Sequence, residues 1–159
     1  MIPGSSCARP ACGANDDRQL VAVAAAIFRQ GRVLCMRRAG NRDAGAGLWE
    51  TLSGRVKPGE DPCAAISREI AEESGLLVRV SPLPADVYAA RRGADPMVVL
   101  RYRAEWLDGE PRLSAEHDAC AWWTPDQFAR HCPLVRLVEG VRRAAALAPA
   151  GDTSTGGNV

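Results

Sequence analysis

The chain has no long hydrophobic run, since its longest, from Leu20 to Phe28, falls far short of the roughly 20 apolar residues that a membrane-spanning helix needs. No membrane partner is expected. Asp16 and Asp17 stand just before that run, where a secretory leader carries positive charge, so the expected location is cytoplasmic. There is also no excess of one charge: 20 basic against 19 acidic side chains leave a formal +1. That balance supplies no bulk field for a polyanion, so a nucleic-acid polymer is not expected as a partner and any phosphate must be held locally. A second cysteine pair at zinc spacing is missing as well. Cys7 and Cys12 make one pair, and His131 beside Cys132 is a poor substitute for the other, so no structural zinc is expected. Cys35, Cys63 and Cys120 lie in apolar surroundings and read as small buried thiols rather than disulfide partners.

What is present is an ordinary globular composition. With 159 residues, 47% hydrophobic and 25% charged, the chain is the size of one packed domain. Stretches without periodicity at 1–17 and 149–159 are expected to be flexible, bracketing a domain at 18–148. Leu20 to Phe28 alternates apolar residues on both sides, as a strand covered on both faces does. Gln30-Gly31 then marks a turn into a second strand, Val33 to Met36, which ends at Arg37 and Arg38. A loop over Ala39 to Gly47 precedes a short strand around Leu48 to Leu52. A later hairpin runs from Tyr88 through Gly93 to Pro96 into Val98 to Trp106, and further sheet follows at Ala119 to Trp123. Thr124-Pro125-Asp126-Gln127 is a capping box for a short helix, and Leu134, Leu137, Val138, Val141 and Ala145 recur at helical spacing through about Leu147. The expected class is α/β (α+β), a mixed sheet between helices.

The chemistry is concentrated between Gly54 and Leu76. Asp61-Pro62 is a helix start and Gly75 a helix stop, which predicts a helix over Pro62 to Ser74. At 100° per residue, Cys63, Ile66 and Ile70 share one arc while Glu69, Glu72 and Glu73 share its neighbour. One face packs and the other is anionic. Unit charges about 5 Å apart repel by roughly 3 kcal/mol at an effective dielectric of about 20, so clustered carboxylates call for protons, cations or open water. A hard divalent ion resolves that conflict, and Mg²⁺ also grips substrate phosphates. Arg68, one residue before Glu69 and four before Glu72, is placed to tether a carboxylate.

Gly54, Glu60, Arg68-Glu69, Ile70, Glu72-Glu73, Gly75 and Leu76 reproduce every fixed position of the Nudix box, a match expected by chance on the order of 10⁻⁹ per starting position. The chain therefore resembles the Nudix hydrolases, the MutT-like family. The resemblance implies an α/β/α sandwich and hydrolysis of a nucleoside diphosphate linked to a further group X, with Mg²⁺ or Mn²⁺ as cofactor. On the matching positions it implies that Glu69, Glu72 and Glu73 bind the metal with the Gly54 carbonyl as an additional ligand. Arg68 would orient them, and Glu60 would contribute from outside. Family members differ in their general base, so Glu69 and Glu116 are both candidates, the latter on a connection after Gly109 to Ser114.

Arg37 and Arg38, near presumed strand ends, are candidates to meet phosphates. Trp122 and Trp123 must point to opposite sides of their strand, which makes Trp122 a candidate to stack on a nucleobase. The expected partner is a small nucleotide, a nucleoside triphosphate or small derivative being favoured. An ADP-ribose or nucleotide-sugar pyrophosphatase is the alternative, although the proline and tyrosine spacings that mark such specialists are not cleanly present. Outside enzymes, the alternative is a regulatory module that binds a nucleotide without turning it over.

Overall fold

The structure, a computed structural model, describes residues 18–40 and 45–149. Cys7, Cys12 and the terminal stretches 1–17 and 150–159 lie outside the described residues. The elements run β1 (Leu20–Arg29), β2 (Arg32–Arg38), β3 (Trp49–Glu50), β4 (Leu52–Arg55), α1 (Pro62–Ser74), β5 (Leu77–Val80), β6 (Asp86–Arg92), β7 (Asp95–Asp108), β8 (His117–Trp123), α2 (Pro125–His131) and α3 (Val135–Ala146).

The strands form one eight-stranded mixed sheet with the path β3-β2-β1-β7-β5, to which β4 adds through β1, β6 through β7 and β8 through β2. β1 and β7 run parallel from Leu20↔Met97 to Phe28↔Glu105, and the other pairings are antiparallel. The β1–β2 hairpin closes through Gln30 and Gly31, with φ of 51° and 73°, the left-handed pair that a two-residue turn with matching twist requires.

Alternation along β1 assigns the two layers. Val23, Ala25 and Ile27 face α1 and join Ile66, Ile70, Leu52 and Tyr102 in one core. Ala26 and Phe28 face the other way and join Phe128, Val138 and Val141 of α2 and α3 in a second. Each such fully buried aliphatic or aromatic side chain contributes about 1.5–3 kcal/mol over its exposed state. Helices thus cover both sheet faces, and the fold is the expected α/β/α sandwich.

α1 occupies the span its caps predict. The Asp61 carboxylate accepts from the N–H groups of Cys63 (2.8 Å) and Ala64 (3.1 Å), Pro62 needs no donor there, and Gly75 ends the helix at φ 69°. The capping box of α2 is also present, with Thr124 and Gln127 exchanging hydrogen bonds.

Three details differ from the pattern reading. The strand around Leu48 to Leu52 is two strands broken at buried Thr51, because β3 pairs with β2 at Met36↔Glu50 while β4 shifts to β1 at Ala25↔Leu52. β5 has only four residues, half of them exposed, too short for a period to register. β8 begins two residues early, at His117, across from a bulge between Arg37 and Arg38. Trp122 and Trp123 do diverge, one packing with the α1-side core and the other with the α2/α3-side core. Among the described residues, no helix is long and apolar enough to cross a membrane.

Candidate functional site

The anionic face of α1 is organised by one guanidinium. Arg68 donates from Nη1 to Glu69 (2.7 Å) and Glu72 (3.3 Å), from Nε and Nη2 to the two oxygens of Glu60 (2.8 and 3.0 Å), and from Nη2 to the Arg55 carbonyl (3.1 Å). The fork geometry locks the helix to β4 and to the loop before it. Glu60 is fully engaged by this arginine and by the Lys57 N–H at 2.9 Å, and together those bonds hold its carboxyl down at about 2. Hydrogen bonds to Glu60 and then to Glu69 push the Arg68 guanidinium still further up.

Gly54 sits on β4 opposite Val23. A Cβ added there would come within 1.9 Å of the Glu69 carboxyl carbon, so only glycine lets that carboxylate lie against the strand. One turn further along α1, Glu73 Oε2 is buried with no hydrogen-bond partner. Burial pushes its carboxyl up to about 8, and the negative charges of Glu116, Glu69, Glu50 and Glu72 push in the same direction. Acidic groups from α1, β3 and the segment before β8 therefore converge on one place.

As these side chains stand, no three His, Cys, Asp or Glu among the described residues are drawn close enough to chelate an ion. Arg68 holds Glu69 and Glu72. The chemistry of the set nonetheless fits a hard divalent cation. The donors are all oxygens, one is an orphaned buried carboxylate oxygen, and the Gly54 backbone lies alongside.

On the opposite face of the sheet a cavity of about 510 Å³ opens over Ala22, Ala24 and Val99, walled by Tyr88 and Arg136 and closed on the β3–β4 side by Glu50. Glu50 thus belongs to both regions, since it lines this cavity and also acts on Glu73. Beneath the cavity lies a fully buried arginine, Arg101, which donates to the Tyr88 hydroxyl at 2.9 Å and faces Asp86 at 3.5 Å. Burial lowers the pKa of its guanidinium. Asp86 also receives Arg136 (3.1 Å) and Arg143 (2.7 Å), which ties α3 to the sheet. Gly140 permits the approach, because a Cβ there would lie 1.1 Å from Arg101 Nη1.

The structure gathers Gly54, Arg68, Glu69, Glu72 and Glu73 at one place and brings the charge of Glu116 to bear on Glu73. Arg38 donates to Glu50 at 3.1 and 3.2 Å and acts as part of its support. Arg37 pairs with Asp118 at 2.7 Å and lies near the Trp49 ring. Trp122 packs with the α1-side core, 5.8 Å from the Arg29 guanidinium, and does not line the cavity. Pattern reading did not pick out Glu50, Asp86, Arg101 or His117. Arg101 carried a signal, a charge inside the apolar run from Val98 to Tyr102.

By its likeness to known proteins the chain is a hydrolase acting on phosphoric anhydride bonds, a class that its sandwich, acidic helix and adjoining cavity suit. A family model described as the NUDIX domain matches residues 18–143, and the chain belongs to that family, which generally uses a divalent metal. A MutT-like protein of Streptomyces ambofaciens is 34% identical over 119 residues, covering 74% of this chain and 72% of the relative. A protein of Escherichia coli K12 named CTP pyrophosphohydrolase is 30% identical over 138 residues, covering 84% and 98%. The crystal structure of a MutT NUDIX hydrolase from Burkholderia pseudomallei superposes with a TM-score of 0.66 at 28% identity, covering 80% of this chain and 98% of that one.

Proposed function

We propose that this chain hydrolyses the pyrophosphate link of a small nucleotide, a nucleoside triphosphate or close derivative, with Mg²⁺ or Mn²⁺ held by Glu69, Glu72, Glu73 and the Gly54 carbonyl. The observation that carries this reading is the orphaned, buried Glu73 oxygen, whose carboxyl is pushed up to about 8 by burial and by the charges of Glu116, Glu69, Glu50 and Glu72, so that a cation can take the place of its proton. The name of the Escherichia coli relative, CTP pyrophosphohydrolase, supports a triphosphate.

When bound, the cation neutralises pyrophosphate charge and lowers the pKa of an attacking water. The side chains of this chain supply the remainder. Arg68 fixes Glu69 and Glu72 through Nη1, and Glu60 in turn fixes Arg68. Glu69 or Glu116 takes the proton from the water. The cavity beyond Glu50 receives the nucleoside, with Tyr88 as its aromatic wall.

Phosphate and pyrophosphate release should be measured over a panel of nucleoside triphosphates, ADP-ribose and nucleotide sugars, with Mg²⁺ present or chelated. Release from triphosphates that stops on chelation is the expected result. No release from any compound with Mg²⁺ present, or release indifferent to chelation, overturns the reading.

A further inference from the structure

The connection between β7 and β8, which ends at Glu116, is fastened to the C-terminal end of α1. The Arg112 N–H donates to the Ser74 carbonyl at 2.9 Å, and the central carbon of the Arg112 guanidinium lies 2.9 Å from where a Cβ on Gly75 would stand. Gly109 packs against Gly75 and Leu76, and its carbonyl accepts from Trp106 Nε1 at 2.8 Å. Arg29, over the Trp106 ring, donates to Glu110 at 3.0 Å. At the far end the Glu116 N–H donates to Ser114 Oγ at 3.2 Å, and the Glu116 carbonyl accepts from the Ala39 N–H at 2.9 Å.

The end of α1 is shaped for this contact. Its last turn holds no basic residue, so the cation that a helix C-terminus favours comes from Arg112. Glycine at position 75 leaves the room that the guanidinium occupies. Ser74, which accepts from Arg112, directly follows Glu73, and of the neighbouring carboxylates Glu116 acts most strongly on Glu73. Placing a loop carboxylate costs backbone freedom, and the Arg112 contact meets that cost in the folded chain, before a substrate arrives. Glu69, by contrast, gives Oε1 to Arg68 at 2.7 Å and lies against Gly54, as suits a fixed metal ligand rather than a group that receives a proton.

We infer that Arg112 is a positioning residue: by clamping the β7–β8 connection to the end of α1 it holds Glu116 at the acidic face as the group that takes the proton from the attacking water. This inference rests on the hydrolase reading above and chooses between its two candidate bases. Arg112 acts only through Glu116.

Amide hydrogen exchange, kcat and KM are measured on the full chain for the wild type, Arg112→Ala, Arg112→Lys, Glu116→Gln and the Arg112→Ala/Glu116→Gln double variant. Without metal or nucleotide, Arg112→Ala should speed exchange at the Ala39 amide, whose acceptor is Glu116, by about tenfold, while amides in the middle of α1 keep the wild-type rate. Turnover is read with Mg²⁺ and the triphosphate of the panel above that the wild type hydrolyses fastest. Glu116→Gln should lower kcat by about a hundredfold or more, the size of a lost general base. Arg112→Ala should lower kcat by about tenfold and leave KM within about twofold. Arg112→Lys keeps a cation at the helix end and should recover most of that loss. The double variant should be no slower than Glu116→Gln alone, because a residue that works through another adds nothing once the other is gone. An additive loss in the double variant, or unchanged Ala39 exchange in Arg112→Ala, overturns the inference. If Arg112→Ala does not fold, Arg112→Gln takes its place in both measurements. Mg²⁺-dependent hydrolysis that survives Glu116→Gln overturns the inference and leaves the proposed function standing. No hydrolysis of any panel compound by the wild type overturns the proposed function and the choice of base together, with the clamp still read at Ala39.

Discussion

The acidic face of α1 and the cavity behind the sheet adjoin at Glu50, yet they are built in opposite ways. The first comes from about one helix turn and its flanking loops, within Gly54 to Leu76, where Glu69, Glu72 and Glu73 are neighbours by helical geometry alone. The second is assembled from β1, β3, β4, β6, β7 and α3, and its buried Arg101–Asp86 pair joins residues that only the folded sheet brings together. Both regions leave buried polar atoms without a hydrogen bond, Glu73 Oε2 in one and Asp86 Oδ2 with Arg101 Nε and Nη1 in the other, but Glu73 faces only like charges whereas Asp86 is met by three arginines. The difference separates chemistry from scaffolding: one region sets like charges together where a cation can bind, and the other sets opposite charges together.

Substitutions should divide the two regions cleanly. Glu72→Gln or Glu73→Gln is expected to lower turnover by about a thousandfold or more with the fold intact, read from kcat and a thermal melt. Turnover unchanged in both variants would defeat the site assignment. Gly54→Ala comes next. Its Cβ would displace the end of the Glu69 side chain, 1.9 Å away, rather than backbone, so turnover should fall by about a hundredfold while the melting temperature moves little.

Behind the sheet the balance inverts. Gly140→Ala would ordinarily favour a helix by about 1 kcal/mol. Here its Cβ would lie 1.1 Å from the buried Arg101, so overpacking should win and destabilise the fold by about 1–3 kcal/mol in denaturant titration. A more stable Gly140→Ala protein would show that Arg101 yields freely.

The smallest effect is a pH slope. Glu73 binds its proton more tightly folded than unfolded, with a value near 8 against an ordinary 4.5. Its contribution to stability is therefore complete below about 4.5 and is lost as pH rises through about 8. In chelator, the melting temperature of the wild type should fall more steeply over that window than that of Glu73→Gln. Superimposable profiles would remove the burial argument.

Legibility followed the same division. α1 was readable to the residue because its signals are local: Asp61 and Pro62 at one end, Gly75 at the other and an apolar arc beside an acidic one. The β1–β2 hairpin was readable for the same reason, through Gln30-Gly31. Glu50 was not, because its meaning depends on His117 arriving 67 positions later and on a cavity floored by β1 and β7. Trp122 appeared as a ligand platform in the pattern, but β8 turns it towards the α1-side core while the cavity lies elsewhere. A residue's neighbours within a turn of helix follow from the chain, whereas neighbours across a sheet follow from register.

The central claim is that the α1 carboxylates tolerate one another by sharing a divalent cation. Calorimetric titration of Mg²⁺ and Mn²⁺ near pH 7, in buffers of different ionisation enthalpy, tests it most directly. Saturable binding that releases protons and is abolished in Glu72→Gln/Glu73→Gln is the predicted result. Equal uptake by the wild type and that double variant, or no uptake by the wild type even with a nucleotide present, would contradict it.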